Sequence, residues 1–432
     1  MLAYRGGKPV RAAQFLADAR ALTAHLPAGG HVINVCADRY RFAVGVAGAL
    51  LAGKVSLLPP THTPEVVRHL RAFAPDVFCL TDSPECDIDL PQVRFPDSAG
   101  VPGPWQVPCL APDTLIAYVF TSGSTGVPVP HPKTWGRLVS CVRAGAVRLG
   151  VAAGTAVLAT VPAQHMYGFE SSVLLPLLAG GALVAERPFY PADIAQALAA
   201  LPAPRVLVTT PIHLRALLAE STPLPAAERL ISATAPLSEA LAREAETRFG
   251  APLLEIYGST ETGQLATRRT AREQPWRLWP QVSLGLEAAR AWARGGHLEQ
   301  PTPLGDQIEL LPDGRFLLRG RLADLVNIAG KRSSLAYLTH QLLAIEGVLD
   351  GAFFLPEERP GAAEAGVTRL AAAVVAPGLS SAELLAALRQ RIDPVFLPRP
   401  LLRVARLPRN STGKLPQEAL RALAEPAPRE RA

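Results

Sequence analysis

The chain has 432 residues, 49% apolar and 19% charged, enough for two or three domains and ordinary for a globular protein. Its 43 basic and 37 acidic residues leave a net charge of +6 spread along the sequence, with no basic stripe carrying interleaved aromatics, which excludes a nucleic-acid-binding signature. Five cysteines, Cys36, Cys79, Cys86, Cys109 and Cys141, form no CxxC pair and leave one unmatched in any disulfide scheme, so they read as reduced apolar residues; no compact metal-ligand motif such as HExxH accompanies them.

The first fifteen residues, MLAYRGGKPVRAAQF, lack an apolar core of signal-peptide length, and a cytoplasmic location is expected. The longest apolar stretch, 42–53, is too short to span a bilayer and predicts a buried helix. It ends in Gly48–Lys54, a GxxxxGK string. Val55 stands where a P-loop requires Ser or Thr, and the segment closes a helix rather than opening one, so a P-loop NTPase is rejected. A GxSxG nucleophile elbow is absent from the sequence, against an esterase of that plan.

From 115 to 257, short apolar runs at 115–120, 157–161, 205–209, 229–232 and 253–257 alternate with helical patterns. This predicts mostly parallel sheet covered by helices. Leu138, Val142, Ala146 and Leu149 recur at helical spacing, and Pro191 and Ser238 occupy helix-start positions. Directly after the first strand comes Thr121-Ser122-Gly123-Ser124-Thr125-Gly126, small residues able to turn several backbone N–H groups and hydroxyls toward one anion. A second polar cluster, Tyr257 to Gly263, follows the last strand. In open α/β sheets, ligands bind at such carboxyl ends.

Beyond Gly305 the pattern changes. Ile308–Leu311 and Phe316–Leu318 flank Pro312-Asp313-Gly314-Arg315, a hairpin signal. A smaller αβ pattern follows: helix at 336–345, strands at 352–355 and 369–376, helix at 381–392, strand at 402–406. The expected division is 1–320 and 321–432, with a disordered Pro- and charge-rich tail at 425–432.

Taken together, the Thr121–Gly126, Tyr257–Gly263, 304–321 and 410–415 clusters resemble, in order and over most of the chain, the acyl-adenylate-forming enzymes: acyl- and aryl-CoA ligases, nonribosomal adenylation domains and luciferases. The resemblance implies an α/β fold with a large N-terminal domain and a small, mobile α+β C-terminal lid. It also implies a reaction in which a carboxylate attacks the α-phosphate of Mg·ATP, pyrophosphate leaves, and a thiol captures the acyl adenylate. In that resemblance, Thr121, Ser122, Gly123, Ser124, Thr125 and Gly126 surround the β- and γ-phosphates. The family usually carries lysine after the following proline; this chain has Val129, and Lys133 is the candidate to supply the missing charge, against a surface lysine at a helix start.

Further matches assign His165 to the carboxylate pocket, against a merely packed histidine, and Ala235, within Ala233–Leu237, to the adenine and acyl pocket. Tyr257, Gly258 and Ser259 match the adenine-contacting strip, Thr260 the α-phosphate contact, and Glu261 the Mg²⁺ ligand. Asp306 and Arg321 match the ribose contacts, and Lys414, in Pro408-Arg-Asn-Ser-Thr-Gly-Lys-Leu, the catalytic lysine of the lid. Ala323 takes the hinge position where a charged residue is usual. The acyl pocket is expected to draw on His165, Phe169, Thr209 and Gly258. The implied partners are a small carboxylic acid and a thiol acceptor, either CoA or the phosphopantetheine of an acyl carrier protein, with no membrane span. A narrower resemblance, carried by TSGSTGxPxPHxK and the short chain, is to compact AMP-ligases of aryl-polyene pigment pathways. The alternative is a catalytically weakened nucleotide-binding relative acting as scaffold or sensor, suggested by Val129 and Ala323. Retention of Glu261, Asp306, Arg321 and Lys414 opposes it.

Overall fold

The computed structural model describes residues 1–104, 106–122, 128–220, 222–287, 290–321, 325–328, 331–356, 370–410 and 414–424. The candidates Gly123, Ser124, Thr125 and Gly126, the hinge residue Ala323 and the tail 425–432 lie outside the described residues.

Two large sheets dominate the N-terminal part, beside a three-stranded sheet of Val282–Glu287, Arg290–Gly295 and Thr302–Pro303 and the hairpin Asp306–Leu310/Phe316–Arg321. The first runs, edge to edge, Gln92–Arg94, Phe78–Thr81, His31–Asn34, Val55–Leu58, Leu115–Ser122 and Pro128–Thr134. All its pairings are parallel except the last, where Leu115–Ser122 meets Pro128–Thr134 antiparallel. The second has nine strands. Its parallel interior is Leu253–Ser259, Arg229–Ser232, Arg205–Thr209, Ala156–Ala159, Ala182–Val184 and Ala3–Arg5, and antiparallel strands occupy both edges.

Side chains alternate across each strand, and the cores follow that alternation. Val157, Ala159, Val206, Val208 and Ile231 face an interior shared with Phe42 and Val44, whereas Ala156, Leu158, Leu207, Leu230 and Leu253 face Ile194, Leu214, Leu217 and Ala242. The helix Arg39–Leu51 is therefore covered nearly all round, as its unbroken apolar sequence predicts. Val32 and Ile33 likewise split between the shared interior and a separate cluster with Val67 and Leu70.

The smaller C-terminal part packs helices on both faces of Asp350–Phe354, Ala371–Val375 and Leu401–Arg403. Phe353, Ala372 and Val374 meet Leu338, Leu342, Leu384 and Leu388; Phe354, Ala371 and Ala373 meet Leu407 and Leu420. The predicted elements at 336–345, 352–355, 369–376, 381–392 and 402–406 are found with boundaries shifted by a few residues, while the hairpin Leu325–Ile328/Lys331–Ser334 and the helix Gln417–Ala422 were not predicted. The Tyr257 cluster falls, as expected, at the carboxyl end of Leu253–Ser259, which pairs parallel to Arg229–Ser232; it is also the tip of an antiparallel hairpin with Gly263–Arg268.

Candidate active site

The hairpin tip is held from within and from behind. Gly258 admits no side chain, since a Cβ there would lie 2.2 Å from the Gly263 carbonyl oxygen, and Gly263 has φ +68°, a region only glycine enters freely. Ser259 N–H donates to Thr262 Oγ1 at 3.1 Å and Thr262 N–H to Ser259 Oγ at 3.2 Å. Three successive carbonyls then point backward: Lys133 Nζ donates to those of Thr260 (2.5 Å) and Glu261 (3.5 Å), and His297 Nε2 to that of Thr262 (2.7 Å). The Glu261 carboxylate is left on the open side with 46% of its side chain exposed, 3.8 Å from His131 Nε2. Partial burial pushes its pKa up, but hydrogen bonds from its own N–H and the Ser259 hydroxyl, with the charges of His131 and Lys133, hold it below the ordinary glutamate value.

This geometry redirects Lys133. It is buried at 9% exposure, so it is neither a surface lysine at a helix start nor a charge aimed from the Thr121–Gly126 loop. The Pro128–Thr134 strand turns it under the neighbouring hairpin. Val129, where the family usually has lysine, is 43% exposed. His131, on the same strand face two residues earlier, links the two candidate loops: its Nε2 lies 3.0 Å from Thr121 Oγ1 as well as near Glu261.

Beneath the hairpin the chain makes one π-helical turn, Phe169–Leu174, after the short helical turn Met166–Gly168. Such turns depart from regular i→i−4 bonding and often mark functional sites. Here the turn carries Glu170, Ser171 and Ser172 into the interior, where each has a partner. Cys141 Sγ donates to Glu170 Oε1 at 3.4 Å, Gln264 Nε2 to Ser171 Oγ at 2.9 Å, and Arg39 Nε to Ser172 Oγ at 3.0 Å. Burial raises the Glu170 pKa to about 7 against the opposing charge of Lys133. Phe169 itself is wholly buried and meets Phe42 edge-on; it belongs to the core rather than to an acyl pocket.

Across the hairpin, Tyr257 Oη donates to Asp306 Oδ2 at 2.7 Å while its ring packs against Trp276 and Phe316. Asp306 and Arg321 are directly paired at the open end of the Asp306–Leu310/Phe316–Arg321 hairpin, so the two candidate ribose contacts start from adjacent backbone positions. Ala235 follows Thr234, a non-glycine residue at φ 79°, at the end of Arg229–Ser232. Backbone strain of that kind clusters at ligand sites.

His165 precedes the Met166 turn. The Tyr167 hydroxyl reaches the carbonyls of Thr209 (3.0 Å) and Ile231 (3.1 Å), tying this segment across two strand ends. The His165 pKa falls to about 4, first through burial and then through the charges of Lys414, His62 and Arg187. Lys414 is thus within electrostatic reach of His165, although 249 sequence positions separate them. The Lys414 loop is braced by Asn410, whose Oδ1 accepts from the Lys414 N–H and whose N–H donates to the Lys414 carbonyl, both at 2.9 Å. Arg409 makes a two-pronged pair with Asp350 (2.7 and 2.8 Å), and Arg215 of the large part stands 3.8 Å from the same carboxylate.

His131, Glu170, His297, Arg409 and Asp350 were not singled out by sequence reading. For His131 a signal exists: it and Lys133 alternate along one strand, so they share a face. The others meet their partners only through tertiary packing.

Comparison with known proteins accords with this arrangement. The family model for AMP-binding enzymes matches residues 13–290. The chain is 32% identical over 283 residues to 4-coumarate–CoA ligase of Rhodobacter capsulatus, covering 65% of this chain and 68% of that protein. It is 26% identical to L-proline–[L-prolyl-carrier protein] ligase of Streptomyces coelicolor over 99% of this chain and 94% of that one. In fold it resembles o-succinylbenzoate-CoA synthetase of Bacillus subtilis in complex with its acyl-adenylate intermediate, with a TM-score of 0.80 and 18% identity over 97% and 94% of the two chains. The chain belongs to the AMP-binding enzyme family.

Proposed function

We propose that this enzyme activates a carboxylic acid with ATP, releasing pyrophosphate, and transfers the acyl group from the adenylate to a thiol. The observation that carries the reading is the Tyr257–Asp306 hydrogen bond, which joins the candidate adenine and ribose residues of two hairpins, with Glu261 at the tip of the first; the charge of Lys414 acts on His165. Nucleotide and acid would then meet beneath one cation from the small part.

In the first step an acid oxygen bonds to the α-phosphorus, and the bond from that phosphorus to the oxygen bridging to the β-phosphate breaks. Lys414 would neutralise both approaching anions, Thr260 would donate to the α-phosphate, and Thr121 to Gly126 would hold the departing phosphates. The Tyr257 ring offers a face for adenine and Asp306, with Arg321, a ribose contact; a carboxylate accepts from both hydroxyls of a vicinal diol. In the second step a thiol sulfur bonds to the acyl carbon, AMP leaves with the former acid oxygen, and the thiol proton passes to solvent.

Glu261 fits a magnesium ion. It is one hard, ionised, half-exposed carboxylate, and among the described residues no group of three or more His, Cys, Asp or Glu forms a complete metal cage. Magnesium characteristically takes one or two carboxylates and completes its shell from phosphates and water. When bound it supplies charge neutralisation at the phosphates.

The half-buried His165, its pKa lowered to about 4, suits an aryl or acyl acid of moderate size, closing the pocket without adding a competing charge. CoA is the acceptor suggested by the coumarate ligase relative. The phosphopantetheine of an acyl carrier protein is a second reading, favoured by the carrier-protein ligase that matches 99% of the chain. We propose a boundary between large part and lid at 320–321, close to the end of the strand Phe316–Arg321, and a cytoplasmic location. Among the described residues no helix is long and apolar enough to cross a membrane. The weakened-relative alternative is not favoured, because the chain matches the AMP-binding enzyme family and its relatives are acid–thiol ligases. Incubation with ATP, Mg²⁺, hydroxylamine and a panel of acids tests the reading: an acid-specific hydroxamate with equimolar AMP is expected, and ATP binding without hydroxamate from any acid would favour the alternative. Repeating it with CoA and with loaded carrier identifies the acceptor.

A further inference from the structure

Resting on that functional reading, we propose that Lys133 is a positioning residue, setting the Thr260–Glu261 peptides through their carbonyls rather than touching the β- and γ-phosphates. Its ammonium donates to two successive carbonyls at 2.5 and 3.5 Å from beneath the hairpin. His297 takes the third, at Thr262. A peptide plane is rigid, so holding the Thr260 and Glu261 oxygens backward also orients the N–H groups and the Glu261 side chain on the open face. Glu261's own N–H bonds its carboxylate, which makes the carboxylate's direction depend on the same peptides.

Lys133 sits on an edge strand. Burial pushes its pKa below the ordinary lysine value, and the neighbouring Glu170, Cys141 and Glu261 act against that shift. Glu170 Oε1 would be 2.9 Å from a Cβ on Gly263, so the carboxylate lies against the hairpin's far end. The hairpin is thus held by Lys133 through its carbonyls on one side and packed against the Glu170 carboxyl group at Gly263 on the other. Hydrogen bonds from a charged donor to buried acceptors are among the stronger stabilising contacts, and unmade buried acceptors carry the full desolvation cost.

Nucleotides of different phosphate length separate positioning from phosphate contact, because AMP lacks the β- and γ-phosphates. Calorimetry on the full chain without Mg²⁺ should show K133M weakening ATP and AMP by the same factor, about tenfold to hundredfold, and in a separate assay the Mg²⁺ concentration for half-maximal adenylation should shift upward. K133Q, which keeps one carbonyl donor without the charge, should lose less; it also carries the comparison if K133M does not fold. Weakening of ATP with AMP unchanged would overturn the proposal in favour of a phosphate contact, and unchanged affinity for both would overturn it outright. If the unaltered enzyme binds neither nucleotide, the functional reading itself fails; binding by the unaltered enzyme with no effect in the variants defeats only the role of Lys133.

Discussion

The Tyr257 hydroxyl and the Asp306 carboxylate, 49 residues apart in sequence, are joined by a 2.7 Å hydrogen bond that ties the tip of one hairpin to the base of another. Tyr257 keeps its ring contacts with Trp276 and Phe316 whether or not the hydroxyl is present. Y257F removes a bond that orients Asp306, so it should weaken nucleotide binding by roughly threefold to tenfold and lower the melting temperature modestly, the ring packing being kept. Equilibrium dialysis with ATP measures the first and a melting curve the second.

Lys414 is exposed at the rim, and its charge lowers the His165 pKa. K414A should cut the adenylation rate on the order of 10²-fold or more, while transfer from a supplied acyl adenylate to thiol falls much less. The same variant should raise the His165 pKa from about 4 toward its ordinary value, which a histidine NMR titration reads independently of activity.

Asp350 receives Arg409 in a two-pronged pair and faces Arg215 of the large part. Arg409 directly precedes the Asn410 brace of Lys414. D350N leaves two partly buried guanidinium groups without their carboxylate, with charged hydrogen bonds worth about 1.5–3 kcal/mol at stake. Adenylation should fall by about tenfold or more, with trypsin cleavage in the small part accelerated.

His165 and His213 both have pKa values lowered to about 4, chiefly by burial. The unfolded chain therefore takes up protons on these groups near pH 6.5 and the folded chain only near 4, so they stabilise the fold above pH 6.5 and lose that contribution as the pH falls toward 4. Glu170, raised to about 7, acts oppositely: its contribution is complete below its ordinary value of 4.5 and is lost as pH rises through 7. In urea titrations from pH 4 to 7.5, H213Q should flatten the rise of stability with pH, and E170Q should steepen it.

Much of the fold was legible because its signals are local. The strands Arg205–Thr209 and Arg229–Ser232 fall on their predicted limits, being short, fully buried apolar runs between turn residues. The strand Pro128–Thr134 was illegible for the opposite reason: three prolines in seven residues argue against a strand. They are tolerated because the strand is a sheet edge and they alternate, at 128, 130 and 132, so the missing N–H groups fall on one side.

At the site, Tyr257, Thr260, Glu261 and Asp306 could be read from their own clusters. What supports them could not. Lys133 reaches its carbonyl partners across 127 and 128 residues and His297 across 35, and no local pattern encodes such pairings. The same limit explains Phe169, whose place in the core depends on Phe42 from a distant helix.

The most direct test of the central claim is acid-dependent exchange of labelled pyrophosphate into ATP by the full chain, alongside K414A. Exchange is expected to require Mg²⁺ and a particular carboxylic acid and to drop on the order of 10²-fold or more in K414A. Exchange that is absent with every acid despite bound ATP, or that is indifferent to the loss of Lys414, would contradict it.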